Sequence, residues 1–270
     1  MMKIDRPGGI PSLQPIDVRK LEIRIFSTRK DMGEAAAEQA ASILERLLER
    51  YEYVNVVFAA APSQNEFLQA LSKLEFLDWG RVNAFHLDEY IGLPPKHPQR
   101  FSSFLDERIF KVLPFHKVHY IIPAGCEQTD PEILAERYEQ LLKKNTLHLA
   151  CIGVGENGHI AFNEPYQARF DDDKLVRVVR LDERSRQQQL NDACFERIED
   201  VPTHAITLTV PAIMGAEYII CVVPGKSKAE AVFKSLEGPI DVSCPASVLR
   251  RHKSAYVFLD ELSASLLRRC

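Results

Sequence analysis

The chain has 270 residues, 46% hydrophobic and 27% charged, with a formal net charge of -4, a balance ordinary for a globular protein and without the basic excess of a nucleic-acid surface. That length can bury most of its apolar surface in one large domain, so a single domain over residues 1–270 is expected. The weak acidity leaves room for a phosphorylated ligand, because a few local cations and backbone N–H groups suffice to hold one phosphate.

The segment Met1 to Pro11 carries charges and glycines where a signal peptide needs an apolar stretch, and no apolar run approaches membrane-spanning length. The six cysteines form no C-x-x-C pair, and Cys151 and Cys221 lie in apolar runs. Reduced thiols in a cytoplasmic protein are expected.

Leu21, Ile23 and Ile25 alternate with Glu22, Arg24 and Phe26, the period of a half-exposed strand. Thr28 with Asp31 then opens a helix in the manner of a capping box, and Ala36, Ala40, Ile43, Leu44 and Leu47 form its apolar stripe. The run Val54 to Ala61 is apolar nearly throughout, as in a strand buried on both faces, and Pro62 ends it. Ser63 with Glu66 repeats the capping-box pattern before a helix that carries Phe67, Leu68 and Leu71. A strand over Val82 to Leu87 runs directly into Asp88-Glu89-Tyr90.

Further on, Asp130-Pro131 reads as a helix start, with Pro131 at the first position where its missing N–H is harmless, and the helix runs to about Lys144. Leu147 to Ile152 is another buried strand. More strands are expected near Val176 to Arg180, Ala205 to Leu208, Glu217 to Val223 and Ala255 to Leu259, with helices near Arg184 to Cys194 and Ser227 to Leu236. Such alternation predicts an α/β fold: a Rossmann-like open, mostly parallel sheet with helices on both faces. Ligands of such sheets gather at the strands' carboxyl ends, which points to Ala60 to Asn65, Asp88 to Gly92 and Gly153 to Glu164.

Gly153-Val154-Gly155-Glu156-Asn157-Gly158 matches G-x-G-x-x-G after a strand, the dinucleotide fingerprint. A dinucleotide turn would continue as a regular helix, whereas here Pro165 would break one within two turns. The expectation is instead a curled loop bringing the His159 imidazole to the Glu164 carboxylate, five residues on, to orient the ring and raise its basicity. Taken alone, His159 could equally cap or pack.

The segment from Gly153 through His159-Ile160-Ala161-Phe162-Asn163-Glu164-Pro165 resembles the signature of glucosamine-6-phosphate deaminases. The likeness continues in Phe85-His86-Leu87-Asp88-Glu89-Tyr90-Ile91-Gly92-Leu93, Leu181-Asp182-Glu183-Arg184-Ser185-Arg186-Gln187, Val201 to Glu217 and Pro245-Ala246-Ser247, spanning about residues 20 to 262. What it implies is a cofactor-free and metal-free enzyme acting on a small sugar phosphate: ring opening, proton transfer from C2 to C1, and release of ammonia to give fructose 6-phosphate. Asp88 would take the C2 proton and deliver it to C1. His159 would move the ring-opening proton between O5 and O1, with Glu164 and Asn157 tuning it, and Ser63, Gln64, Arg186 and Lys228 would hold the phosphate.

The chain departs from the family's best-known members at three places. Asn157 stands where they carry Asp, so it is expected to orient rather than ionise. Their Gly- and Thr-rich phosphate loop reads Ala60-Ala61-Pro62-Ser63-Gln64-Asn65, which leaves the amino terminus of the helix at Ser63 as the expected anion seat, with Glu66 one turn in. Between Pro165 and Arg186 the chain has Asp171 to Asp173 in place of a Ser- and Arg-rich run, and no allosteric activation by a sugar phosphate is expected. Two other readings stay open. A 6-phosphogluconolactonase shares the fold and a similar loop but not the Phe162-Asn163-Glu164-Pro165 continuation. A sugar-phosphate sensor would need a helix-turn-helix, for which the roughly 20 residues ahead of the first strand are too few and too proline-rich. The C4 epimer preferred and the oligomeric state, a homo-oligomer included, are not legible.

Overall fold

The computed structural model describes residues 21–191 and 193–268 and the backbone of residues 15–18. Met1 to Pro11 lies outside them. Along the chain run strand β1 (Pro15–Val18), β2 (Leu21–Phe26), helix α1 (Arg29–Arg50), β3 (Val54–Phe58), α2 (Asn65–Leu71), β4 (Val82–His86), β5 (Asp88–Tyr90), α3 (Phe101–Leu105), β6 (Lys117–His119), α4 (Pro131–Lys144) and β7 (Leu149–Ile152). Then follow β8 (Val176–Arg180), α5 (Glu183–Asn191), β9 (His204–Leu208), α6 (Val210–Met214), β10 (Tyr218–Val223), α7 (Ala229–Glu237) and β11 (Ala255–Asp260).

The main sheet has eight strands in the order β1-β2-β11-β10-β7-β3-β4-β6, and every pairing except β1 with β2 is parallel. Its side chains sort by the two-residue period of a strand. Val57, Phe85, Ala150, Ile152, Ile219, Cys221 and Val257 pack on the face covered by α4, α6 and α7. Val56, Phe58, Ala84, Leu149, Cys151, Ile220 and Phe258 pack on the opposite face, under α1, α2 and α3. Both faces are therefore dry, which is why β3, β4 and β7 read as unbroken apolar runs. The expected open parallel sheet with helices on both faces is what the chain forms.

Local signals set the boundaries. Thr28 accepts the Asp31 N–H and so caps α1, whose Ala36, Ala40, Ile43, Leu44 and Leu47 are wholly buried. Truncating one of these leucines to Ala would cost about 2–5 kcal/mol. Asp130 caps α4 on the Glu132 N–H, with Pro131 in its first turn. The second capping box does not form. Pro62–Gln64 is a 3-10 turn, α2 starts only at Asn65 without a side-chain cap, and Glu66 pairs with Arg29 at 2.9 Å. Proline at the turn's first position favours the tighter winding, and the ion pair diverts Glu66 from capping. The expectation of a regular helix opening at Ser63 is thereby corrected.

β8 and β9, expected only as further strands, join β5 in a small separate antiparallel sheet of order β5-β9-β8. In the main sheet the chain steps from β3 to β4 and β6 in one direction, and from β7 to β10 and β11 in the other. The crevice of an open α/β sheet opens where that direction reverses, here between β3 and β7. Among the described residues, no helix is long and apolar enough to cross a membrane.

Candidate active site

A cavity open to solvent occupies that crevice. Segments following β3, β4, β7 and β10 line it: Ala59 to Ala61 with Ser63 and Gln64, then Leu87 and Asp88, Gly153 to Gly155, and Lys228. Ala161, Phe162, Gln188, Gln189 and Phe101 close the remaining wall. All three strand-end segments expected from the sequence thus converge, and Asp88 and His159 face one cavity.

Asp88 begins β5 one residue after β4 ends, which sets it in the crevice wall, 7% exposed. Burial pushes its carboxyl well above the usual carboxylate range, and the neighbouring Glu89 charge pushes the same way. Glu89 itself is fully buried and saturated with donors: the Tyr90, Phe101 and Ser102 N–H groups, at 2.9–3.1 Å, and the Ser102 hydroxyl. Arg100 lies 3.6 Å from it. Glu89 therefore ties the start of α3, with Phe101 in the cavity wall, to the strand that carries Asp88.

The loop after β7 does not become a helix; it turns at Gly155 to Gly158 and again near Ile160 to Asn163. This is the course that Pro165 demands, and it is not that of a dinucleotide fingerprint. Gly155 is required by close approach, since a Cβ there would lie 2.1–2.5 Å from three atoms of the His159 ring. Gly158 combines φ of +88° with a Cβ direction only 2.6 Å from Cys244 Sγ. The backbone is thus cut away so that the imidazole can lie against it.

His159 Nδ1 is 2.8 Å from Asn157 Oδ1, 3.2 Å from Ser185 Oγ and 3.5 Å from Glu164 Oε2. Asn157 Nδ2 donates to Glu164 Oε2 at 2.6 Å, which fixes the amide's orientation and leaves Oδ1 as the acceptor facing the ring. Ser185 Oγ directs its proton to Glu164 Oε1, so toward the ring it too is only an acceptor. With acceptors alone around it, Nδ1 carries the hydrogen, and in the neutral ring Nε2 keeps its lone pair for a ligand. Glu164 is fully buried, and burial opposes its ionisation. The His159 ring, Ser185 and Asn157 outweigh that effect and hold its carboxyl below the usual value.

Of the four residues expected at a phosphate, Ser63, Gln64 and Lys228 line the cavity. Lys228 is 6% exposed, at the end of the 3-10 turn Lys226–Lys228 that leads into α7. Gln64 Nε2 donates to Val222 O at 3.1 Å and to Ser63 Oγ at 3.2 Å, locking that side chain to β10. Arg186 is not in the wall. Its guanidinium donates to the carbonyls of Ile198 and Val201, bracing the 3-10 turn after α5, and its Nε is buried with no partner among the described residues. Those carbonyls, 12 and 15 residues on, compete for the fork the sequence suggested for an anion. Nor does the anion seat expected at a helix opening on Ser63 exist as drawn, since the turn there is 3-10 and the helix starts later. Sequence reasoning missed Ser185, Gln188, Gln189 and Phe101. Ser185 stood inside a segment already singled out, while the two glutamines carry no signal until α5 is docked. Among the described residues, no group of three or more His, Cys, Asp or Glu is arranged to hold a metal.

Comparison with known proteins bears on this geometry directly. Residues 27–258 match the family model described as glucosamine-6-phosphate isomerases/6-phosphogluconolactonase. A glucosamine-6-phosphate deaminase of an Exiguobacterium species is 40% identical over 223 residues, 83% of this chain and 84% of that protein. One from Listeria monocytogenes is 38% identical over 233 residues, 86% and 96%. The solved structure of a monomeric glucosamine-6-phosphate deaminase superposes with a TM-score of 0.79 at 29% identity, covering 92% of this chain and 99% of that one. A 6-phosphogluconolactonase from Thermotoga maritima, 21% identical with a TM-score of 0.72 and coverages of 89% and 100%, shares the fold. The chain belongs to the glucosamine-6-phosphate isomerase/6-phosphogluconolactonase family.

Proposed function

We propose that this protein is an amino-sugar-phosphate deaminase, converting glucosamine 6-phosphate, or its C4 epimer galactosamine 6-phosphate, and water to a ketose 6-phosphate and ammonia. The observation that carries the proposal is that a desolvated carboxylate, Asp88, and an imidazole with a free Nε2 lone pair, His159, line one cavity together with Lys228. His159 Nε2 takes the O1 proton and returns it to O5 as the ring opens. Asp88, ionised, then takes the proton from C2 of the open chain and returns it to C1. Addition of water at C2 expels ammonia and leaves the ketone. A base whose basicity is raised by burial suits a weakly acidic C–H. Lys228 supplies positive charge for the phosphate, and Ser63 supplies a hydroxyl.

Glu164, Ser185 and Asn157 set the tautomer on which the first proton transfer depends. We assign the activity to a single domain acting in the cytoplasm without a cofactor. Ammonia release from the two hexosamine 6-phosphates, measured beside hydrolysis of 6-phosphogluconolactone, tests the proposal. Ammonia is expected, and lactone turnover without ammonia would overturn it.

A further inference from the structure

Two residues before Asp88 lies a fully buried imidazole that the proposed chemistry does not use. His86 ends β4, where the chain leaves the main sheet to begin β5 in the small one. Its Nε2 lies 2.9 Å from the Ile121 N–H and accepts from it, so the remaining nitrogen carries the hydrogen. That nitrogen, Nδ1, donates to the main-chain oxygen of Asp88 at 2.9 Å. Burial pushes the ring below the usual histidine value, which keeps it neutral and keeps this tautomer.

The partner matters because of where the Asp88 carbonyl points. β5 is an edge strand of its sheet, bound only to β9. Leu208 donates to Leu87 O and Ile91 donates to His204 O, so the hydrogen-bonded positions are the odd-numbered ones, and Asp88 faces Thr207 in a non-hydrogen-bonded pair. The Asp88 carbonyl therefore turns away from β9 toward the gap between the sheets, where the His86 ring meets it. The main chain that carries the ring is held as well: the Tyr138 hydroxyl, on α4, accepts the His86 backbone N–H at 3.0 Å and lies 3.1 Å from the His86 carbonyl oxygen.

Resting on the deaminase reading for its catalytic consequence, we infer that His86 is a positioning residue: it clamps the peptide after Asp88 and so fixes where the Asp88 carboxylate meets the substrate's C2 proton. Two variants of similar polarity separate this from packing. In His86→Asn the amide nitrogen sits near the Nδ1 position and can still donate to the Asp88 carbonyl; in His86→Gln it sits near Nε2 and cannot. Loss of the clamp is expected to lower kcat about tenfold in His86→Gln, with KM within twofold and a larger primary isotope effect on substrate deuterated at C2, while His86→Asn stays within about threefold of wild type. Carboxyl-carbon NMR titration of Asp88 supplies a readout independent of turnover. Its midpoint should fall in His86→Gln, as a released side chain gains water, and hold in His86→Asn. Equal impairment of the two variants, or an unmoved Asp88 titration in His86→Gln, overturns the inference. Absence of ammonia release by the wild type would instead sink the deaminase reading, leaving the titration to judge the clamp alone.

Discussion

Asp88 and Glu164 are both buried carboxylates on the two sides of one proposed reaction, yet their surroundings drive them in opposite directions. No donor among the described residues reaches the Asp88 carboxylate, so burial and the adjacent Glu89 charge both favour its protonated form. Glu164 suffers the same burial but accepts from Asn157 and Ser185 and lies beside His159, and its ionised form wins. The difference teaches that burial alone does not assign a carboxylate's role. A group that must bind and release protons is left short of partners, and one that must stay charged to orient an imidazole is surrounded by them.

The largest effect expected from breaking this asymmetry is the loss of the base. Asp88→Asn should lower kcat by about 10³-fold or more, with KM little changed, because general-base catalysis contributes roughly 10²–10⁴. Residual ammonia release within tenfold of wild type would remove Asp88 from the mechanism. The acid limb of kcat/KM should also lie above the pH at which an ordinary carboxylate titrates, since Asp88 must be ionised to act and its pKa is raised. Next in size is the orienting side. His159→Gln should cost about 10²-fold, and Gly155→Ala should approach it, because the new Cβ would occupy the space of the His159 ring. Normal turnover in Gly155→Ala, with a crystal structure showing the ring displaced, would separate ring position from catalysis.

How far this asymmetry could be foreseen depends on how local its causes are. The central strands and α1 are legible because two-sided burial writes continuous apolar runs and Thr28 writes its own cap. Family resemblance points to Asp88, His159 and Glu164, and to Lys228 and Ser63; the fold brings Asp88, His159, Lys228 and Ser63 to one cavity and sets Glu164 beside His159. β5 and β6, at three residues each, are too short to display a period, and that β5, β8 and β9 leave the main sheet is a matter of tertiary pairing. That Arg186 is drawn away from the cavity has a related reason: the carbonyls that engage its guanidinium lie 12 and 15 residues away on a turn whose course propensity does not predict. The donors around Glu164 come from a loop and from α5, so the sign of its pKa shift belongs to the fold and not to any segment.

The smallest expected effects are on stability, and they run in opposite directions at the two carboxylates. Glu164→Gln replaces an acceptor oxygen by an N–H₂ group that must face donors, and at neutral pH should cost about 1–3 kcal/mol in urea unfolding. Because the folded-state pKa of Glu164 is depressed, that penalty should be present above the unfolded carboxylate value and shrink as pH falls through the folded one. Asp88 behaves inversely. Its folded-state pKa is raised, so above about pH 4 the unfolded chain has released a proton that the native state still holds, and stability falls as pH climbs toward the folded value. Asparagine cannot ionise and escapes this loss. Asp88→Asn should therefore match wild type near pH 4 and become progressively more stable than it at higher pH, an inactive enzyme that is harder to unfold. A gap between the two that stays flat from pH 4 to 8 would mean that Asp88 ionises as easily in the cavity as in water, and the contrast with Glu164 would vanish.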